Sequence, residues 1–168
     1  MKRISLFLLT LFFALSISAQ GLTYESGKFV YKLSGNSAII VGPADESITD
    51  ARIPSSVKIE GVKYPVTGIA DGAFYNIESL LSVSLGINIR NVGDGAFFGC
   101  SRLKAVYCYA IEPPVCSGKV AVFGFENGTG SVSIPDGLTV YVSAGSLGNY
   151  RSATVWNELP VEPMVTKF

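Results

Sequence analysis

No histidine occurs among the 168 residues. That absence excludes a Ser-His or Cys-His nucleophile pair and any imidazole-based metal site. Charge is sparse: 15% of the chain, 13 basic and 13 acidic residues, without a basic cluster or aromatic–basic interleaving. Nucleic acid is therefore not an expected partner. No glycine-rich phosphate loop stands ahead of a helical pattern. Beyond residue 17 no apolar run is long enough to cross a bilayer. Cysteine is limited to three residues, an odd number that cannot be fully paired within one chain.

What is present begins with an N-terminal export signal. Residues 1–20 read as a secretory signal peptide, with Lys2 and Arg3 ahead of the apolar stretch 4–17 and cleavage near Ser18-Ala19-Gln20. No cysteine follows that point directly, so no lipid anchor is expected. Removal of residues 1–20 leaves 148 residues with 11 basic against 13 acidic side chains, a net charge of −2. A chain of that size is one domain and can bury about 70% of its unfolded surface. Export without membrane insertion after cleavage is expected, with the product secreted, at the cell surface or in the periplasm.

The centre of the chain repeats itself. Asp71-Gly72-Ala73-Phe74 returns as Asp94-Gly95-Ala96-Phe97, 23 residues later. Apolar positions keep that offset on both sides: Val66 with Ile89, Ile69 with Val92, Ile77 with Cys100, Leu80 with Leu103, Val83 with Val106, Leu85 with Cys108. Positions between them drift. Leu80-x-x-Val83-x-Leu85 and Leu103-x-x-Val106-x-Cys108 fit the strand of a leucine-rich repeat, whose period is about 20–29 residues. A single coil cannot bury its own apolar edge and must stack on a neighbour. The expected fold is mostly β: a short leucine-rich-repeat solenoid with a parallel ladder, an N-terminal β-hairpin cap and a C-terminal strand–helix cap.

In chain order, residues 21–52 are assigned to the N-terminal cap. Residues 28–33 alternate, with Phe29, Tyr31 and Leu33 on one face, and pair across a turn at 34–37 with a strand at 38–41. Residues 42–50 read as a polar connection. Residues 53–111 hold the repeats, with short strands at Val57 and Ile59 and at 64–69 around a Glu60-Gly61 turn. In the repeated motif glycine permits the corner and phenylalanine fills the interior. Residues 76–80 are too short for a regular helix, so one helical turn or a 3₁₀ segment is expected. Residues 112–168 form an irregular repeat and the C-terminal cap. There Ala121-Val122-Phe123 is a degenerate corner and Leu138-x-Val140-x-Val142 a strand. Residues 146–158 form a short helix started by Ser146, and 161–165 a last strand. Asn127-Gly128-Thr129 matches a glycosylation sequon but is read as a hairpin turn.

These residues resemble the BspA-type leucine-rich-repeat proteins exported by host-associated bacteria. The resemblance rests on Ile53-Pro54-Ser55-Ser56-Val57, Val66-x-x-Ile69-x-x-Gly72-Ala73-Phe74 and Ile89-x-x-Val92-Gly93-x-Gly95-Ala96-Phe97-x-Gly99-Cys100-x-x-Leu103-x-x-Val106. The segment from Gly61 to Val66 and the tail Leu138-Thr139-Val140-Tyr141-Val142 with Gly145-Ser146 and Tyr150…Trp156 extend it over most of the mature chain. It implies a small right-handed solenoid and a role in secreted or surface binding, often adhesion.

No catalytic constellation emerges. Asp71 and Asp94 lie one coil apart, which would suit a general acid/base pair or cation site by separation alone. They read more simply as solvated turn carboxylates, and too few further oxygens accompany them for calcium. Cys100 and Cys108 occupy the apolar positions of Ile77 and Leu85 and should point inward. Cys116 lies beyond Pro113-Pro114. Three free thiols are expected, with a Cys108–Cys116 bridge the alternative in an oxidising compartment. No metal and no cofactor are expected.

The binding candidate is the outward face of the ladder. In an L-x-x-L-x-L strand the alternate positions point away from the core, giving Ser82, Ser84, Ala105, Tyr107, Tyr109, Thr139 and Tyr141. Tyrosine joins an apolar ring to a hydroxyl and suits protein or glycan contacts. Tyr107, Tyr109, Tyr141, Ser82 and Ser84 are therefore the binding candidates; the competing reading packs these rings beneath neighbouring structure. Phe74, Phe97, Phe123 and Trp156 are assigned to the core. A non-enzymatic interaction domain that binds or adheres to a protein, on a host or cell surface, is the leading expectation. A carbohydrate-binding module and a ligand-free envelope protein are the alternatives.

Overall fold

The computed structural model describes residues 22–117, 122–126 and 131–165. The stretch read as a signal peptide, Ala121 of the expected degenerate corner, and residues 127–130, where a hairpin turn with a sequon was expected, lie outside the described residues.

The chain opens with a meander of β1 (Thr23–Ser26), β2 (Phe29–Ser34) and β3 (Ser37–Pro43), each antiparallel to the next. The alternation in β2 places Phe29 and Tyr31 inward, both buried. Strand β4 (Asp50–Arg52) follows, then a tight hairpin of β5 (Ser56–Ile59) and β6 (Val62–Ile69), turned at Glu60 and Gly61, both with positive φ. The repeats continue with β7 (Ser82–Leu85), β8 (Asn91–Val92), β9 (Ala105–Cys108) and β10 (Val115–Cys116). Then come the antiparallel pair β11 (Phe125–Glu126) and β12 (Val132–Ser133), and β13 (Thr139–Val142). A 3₁₀ turn (Ala144–Ser146), the helix α1 (Leu147–Ser152), a second 3₁₀ turn (Trp156–Glu158) and β14 (Val161–Pro163) complete the described chain.

Two parallel ladders result. One runs in the order β4-β7-β9-β13-β14, every neighbouring pair parallel. The other joins β3, β6, β8 and β10, also in parallel. Between the ladders the motif corners stack, so each winding passes through a rung, a corner and a second rung. Gly72 and Gly95 take φ of 61° and 58° at equivalent corners, a region open to glycine and costly for most residues. The corners are also hydrogen-bonded along the stack: Phe74 N–H donates to Ala96 at 2.7 Å and Phe97 N–H to Val122 at 2.9 Å.

The core is a column of rings. Phe74 and Phe97 stack at 5.1 Å, and Phe97 and Phe123 at 5.4 Å, with nearly parallel ring planes in both cases. Phe29 meets Phe74 edge-on at one end, and Trp156 meets Phe123 at 5.5 Å at the other. Burial of each ring contributes roughly 1.5–3 kcal/mol, with about 0.5–1.5 more for each ring pair. Cys100 and Cys108 are buried at the positions the repeat assigned them, and all three cysteines are free thiols.

Several expectations need correction. The hairpin at the N-terminus has a third strand, β1, and its strand β3 joins the second parallel ladder. Residues 42–50 are not wholly a connection, because Asp50 begins β4, the first rung of the first ladder. Residues 76–80 form successive turns with no helix; Ile77 N–H donates to Phe74 at 3.3 Å and Leu80 N–H to Ile77 at 3.1 Å. The helix expected over 146–158 is interrupted: α1 stops at Ser152 and Val155 takes a positive φ of 73°. Ser146 does not cap it through its side chain; its hydroxyl, with that of Ser143 2.8 Å away, is turned inside the preceding 3₁₀ turn.

Candidate functional site

The outward face of the first ladder is set by register. Asp50, Ser82, Ala105 and Thr139 form one row across β4, β7, β9 and β13. Arg52, Ser84, Tyr107, Tyr141 and Glu162 form the next, extending to β14. The residues between them, Ala51, Val83, Val106, Val140 and Val161, are buried in the core. This strict two-residue alternation puts every outward residue on one surface.

Ser82, Ser84, Tyr107 and Tyr141 therefore come together as the sequence indicated. Tyr107 and Tyr141 stack at 5.1 Å with an interplanar angle of 19°, and both are half-buried, not sealed in the core. Tyr109 lies just beyond β9 and is 53% exposed. Its N–H donates to Leu85 at 3.1 Å, so the backbone fixes where the ring starts.

Three residues of this surface escaped the sequence reading: Asp50 and Arg52 of β4, and Glu162 of β14. A groove of about 580 Å³ is lined by Asp50, Arg52, Ser82, Ser84, Tyr107 and Tyr109. Asp50 organises its polar side: Ser82 Oγ donates to Oδ1 at 2.7 Å and Arg52 Nε donates to Oδ2 at 2.6 Å. The Ser82 hydrogen bond, with the Arg52 guanidinium, holds the Asp50 carboxyl below its ordinary range against mild desolvation. The missed signal for β4 was Ile48-x-x-Ala51-x-Ile53, which copies Leu80-x-x-Val83-x-Leu85 in position. Alanine at its centre made the apolar pattern too faint to separate from a polar connection.

The aspartate pair does not form a site. Asp71 and Asp94 are exposed, and Asp71 Oδ1 accepts the Asp94 backbone N–H at 2.7 Å. That carboxylate ties one coil to the next. Among the described residues no cluster of three or more potential metal ligands occurs, and no helix is long and apolar enough to cross a membrane.

Against known proteins, no family model and no curated protein match the chain. Solved structures do. A leucine-rich cell surface protein from Faecalibacterium prausnitzii A2-165 superposes with a TM-score of 0.53 at 20% identity, over 84% of this chain and 42% of that one. The chain has a leucine-rich-repeat fold. A leucine-rich repeat protein from Bacteroides ovatus ATCC 8483 gives a TM-score of 0.50 at 18% identity, over 71% of this chain and 37% of that one. One from Bacteroides capillosus ATCC 29799 is 25% identical over 73% of this chain and 99% of its own, with a TM-score of 0.49. This leucine-rich-repeat chain thus spans less than half the length of the first two.

Proposed function

We propose that the protein is an exported interaction domain of the BspA type, secreted or held at the cell surface, whose ladder face binds a protein partner. The stacked pair Tyr107–Tyr141 carries this reading, because it stands half-exposed beside a groove and is not folded into the core. Leucine-rich-repeat folds present such faces as binding surfaces, and tyrosine is enriched where binding energy concentrates. In this reading the windings form a short solenoid. The β1–β3 meander caps one end through Phe29, and the segment carrying Trp156 caps the other, where both residues terminate the ring column. The test is double substitution of Tyr107 and Tyr141 to alanine, followed by binding to proteins from surface or matrix extracts in parallel with a glycan array. Loss of protein binding with near-native thermal stability supports the proposal. Collapse of stability would make the rings core, and glycan binding in place of protein binding would make the face a carbohydrate site.

A further inference from the structure

The groove has a defined shape, and that shape comes from one rung. On β4 the relevant outward residue is Arg52, and on β9 it is Tyr107; between them stands Ser84 of β7. The column along β7 continues this thinning, with Ser82, Ser84 and then Gly86. A Cβ at Gly86 would press on the Ile53 oxygen at 3.0 Å and the Pro54 backbone at 3.1 Å, so a larger residue there fits only if that backbone gives way. The row Arg52–Ser84–Tyr107–Tyr141 is therefore a side-chain stack with one member missing.

The size of the gap follows from ladder spacing. Adjacent rungs lie about 4.8 Å apart, so the Arg52 and Tyr107 positions are separated by roughly 10 Å. Rings at matching positions of adjacent windings stack at ladder distance, 5.1 Å for Tyr107–Tyr141 and 5.7 Å for Tyr75–Phe98. A ring placed over Ser84 would lie one rung, about 5 Å, from the Tyr107 ring, within the range of about 4.5–7 Å for ring pairs, and one rung from the strand position that carries Arg52, whose long side chain can bring its guanidinium over the ring. One face of Tyr107 is taken by Tyr141; the other looks toward Ser84. Arg52 is held on the far side by its Nε bond to Asp50 while its side chain remains 82% exposed.

We infer that the vacant rung over Ser84 takes a planar aromatic side chain of the protein partner, sandwiched between the Arg52 guanidinium and the Tyr107 ring. The occupant follows from charge complementarity: the guanidinium is positive and the face of an aromatic ring is negative. An aliphatic anchor would gain neither contact, and a second cation would have to compete with Arg52 for the Asp50 carboxylate. This inference rests on the ladder face being the binding surface and specifies what that surface grips.

The probes are acetyl-Gly-Trp-Gly-amide, acetyl-Gly-Tyr-Gly-amide and acetyl-Gly-Leu-Gly-amide, with cellohexaose and maltohexaose as glycan arms. Titration into the protein is followed through the Arg52 Nε–H and Tyr107 ring resonances by NMR. The aromatic peptides should shift both signals saturably, with affinity at least about tenfold above the leucine peptide. Ser84→Tyr fills the gap from within and should abolish the response; Ser84→Ala should keep it; Arg52→Ala should weaken it about threefold to tenfold. Equal shifts from the leucine peptide, or an unchanged response in Ser84→Tyr or in Arg52→Ala, overturn the inference, as does a response to the glycans in place of the peptides. A captured partner lost on double substitution of Tyr107 and Tyr141 but retained by Ser84→Tyr would overturn the slot and leave the face reading standing. A partner indifferent to every one of these changes would remove the face reading itself.

Discussion

Gly93→Ala is the sharpest test of how closely the windings approach. Gly93 sits one position before the second Asp-Gly-Ala-Phe corner, against the backbone of the preceding coil. A Cβ there would lie 2.3 Å from the Asp71 nitrogen and 2.5 Å from the Ala70 carbonyl carbon, where ordinary contacts begin at 3.4 Å. Because the obstacle is backbone, it cannot swing aside, and the two coils must part by about 1 Å locally. Three hydrogen bonds cross that gap: Gly93 N–H to Ile69 at 2.9 Å, Gly72 N–H to Asp94 at 2.9 Å, and Asp94 N–H to Asp71 Oδ1 at 2.7 Å. Stretching them by that amount takes them past the hydrogen-bond range. At about 0.5–1.5 kcal/mol for each of the three bonds, with roughly 1–3 kcal/mol of overpacking strain, the expected loss is about 2.5–7.5 kcal/mol. That is a large share of a typical stability of about 5–15 kcal/mol. Urea denaturation followed by circular dichroism and by fluorescence of the buried Trp156 measures it. Gly148→Ala is the control. Gly148 lies in α1, and a Cβ added there would meet no heavy atom within 4 Å, so the same chemical change should stabilise, by about 0.5–1 kcal/mol. A Gly93→Ala protein within about 1 kcal/mol of wild type would refute close stacking of the coils.

Further outcomes follow from the same contacts. Replacing Tyr107 or Tyr141 by alanine should cost only about 0.5–1.5 kcal/mol, the worth of a partly exposed ring pair, measured as a shift of a few degrees in Tm. Trp156→Phe removes the Nε1–H bond to the Pro114 carbonyl at 2.8 Å, in a buried position, and should cost about 1–3 kcal/mol in urea denaturation. The folded Asp50 carboxyl titrates below its ordinary value of 3.8. Its contribution is therefore complete above that value and is lost as pH falls through the lower folded value. Binding of the tryptophan peptide should accordingly be flat from pH 8 to 5, and Asp50→Asn should weaken it throughout that range by loosening Arg52; a midpoint near neutrality would contradict that assignment. Burial pushes the Cys100 and Cys116 thiols up to about 12 and Cys108 further in the same direction. A thiol reagent at pH 7 should thus label the native protein slowly and all three cysteines rapidly in denaturant; fast native labelling would show an opened core.

The repeat was legible because its spacing is strict where the windings are plain. From β7 to β9 the offset is 23 residues, the same as between the two Asp-Gly-Ala-Phe corners, and inward and outward residues alternate as a strand demands. Residue chemistry alone therefore identified the ring column, the buried cysteines and the tyrosines of the outward face. The β4 rung was hidden, because its winding carries extra chain. Asp50 to Ser82 is 32 residues, lengthened by the β5–β6 hairpin; Ala105 to Thr139 is 34, lengthened by the stretch holding the β11–β12 pair, and its strand was still legible through the alternation of Leu138, Val140 and Val142. Periodicity cannot register a coil whose length changes while its ends still meet.

Sequence by itself determined that windings must stack, since no winding can cover its own apolar edge, and which residues face inward, since strand alternation is local. Tertiary structure alone decided which windings are neighbours. That choice placed Asp50 and Arg52 beside Ser82 and Ser84, and left an empty rung between a guanidinium and a ring. Hydrogen bonds between strands join backbones regardless of how much chain separates them, so the composition of the groove exists only once the ladder has closed.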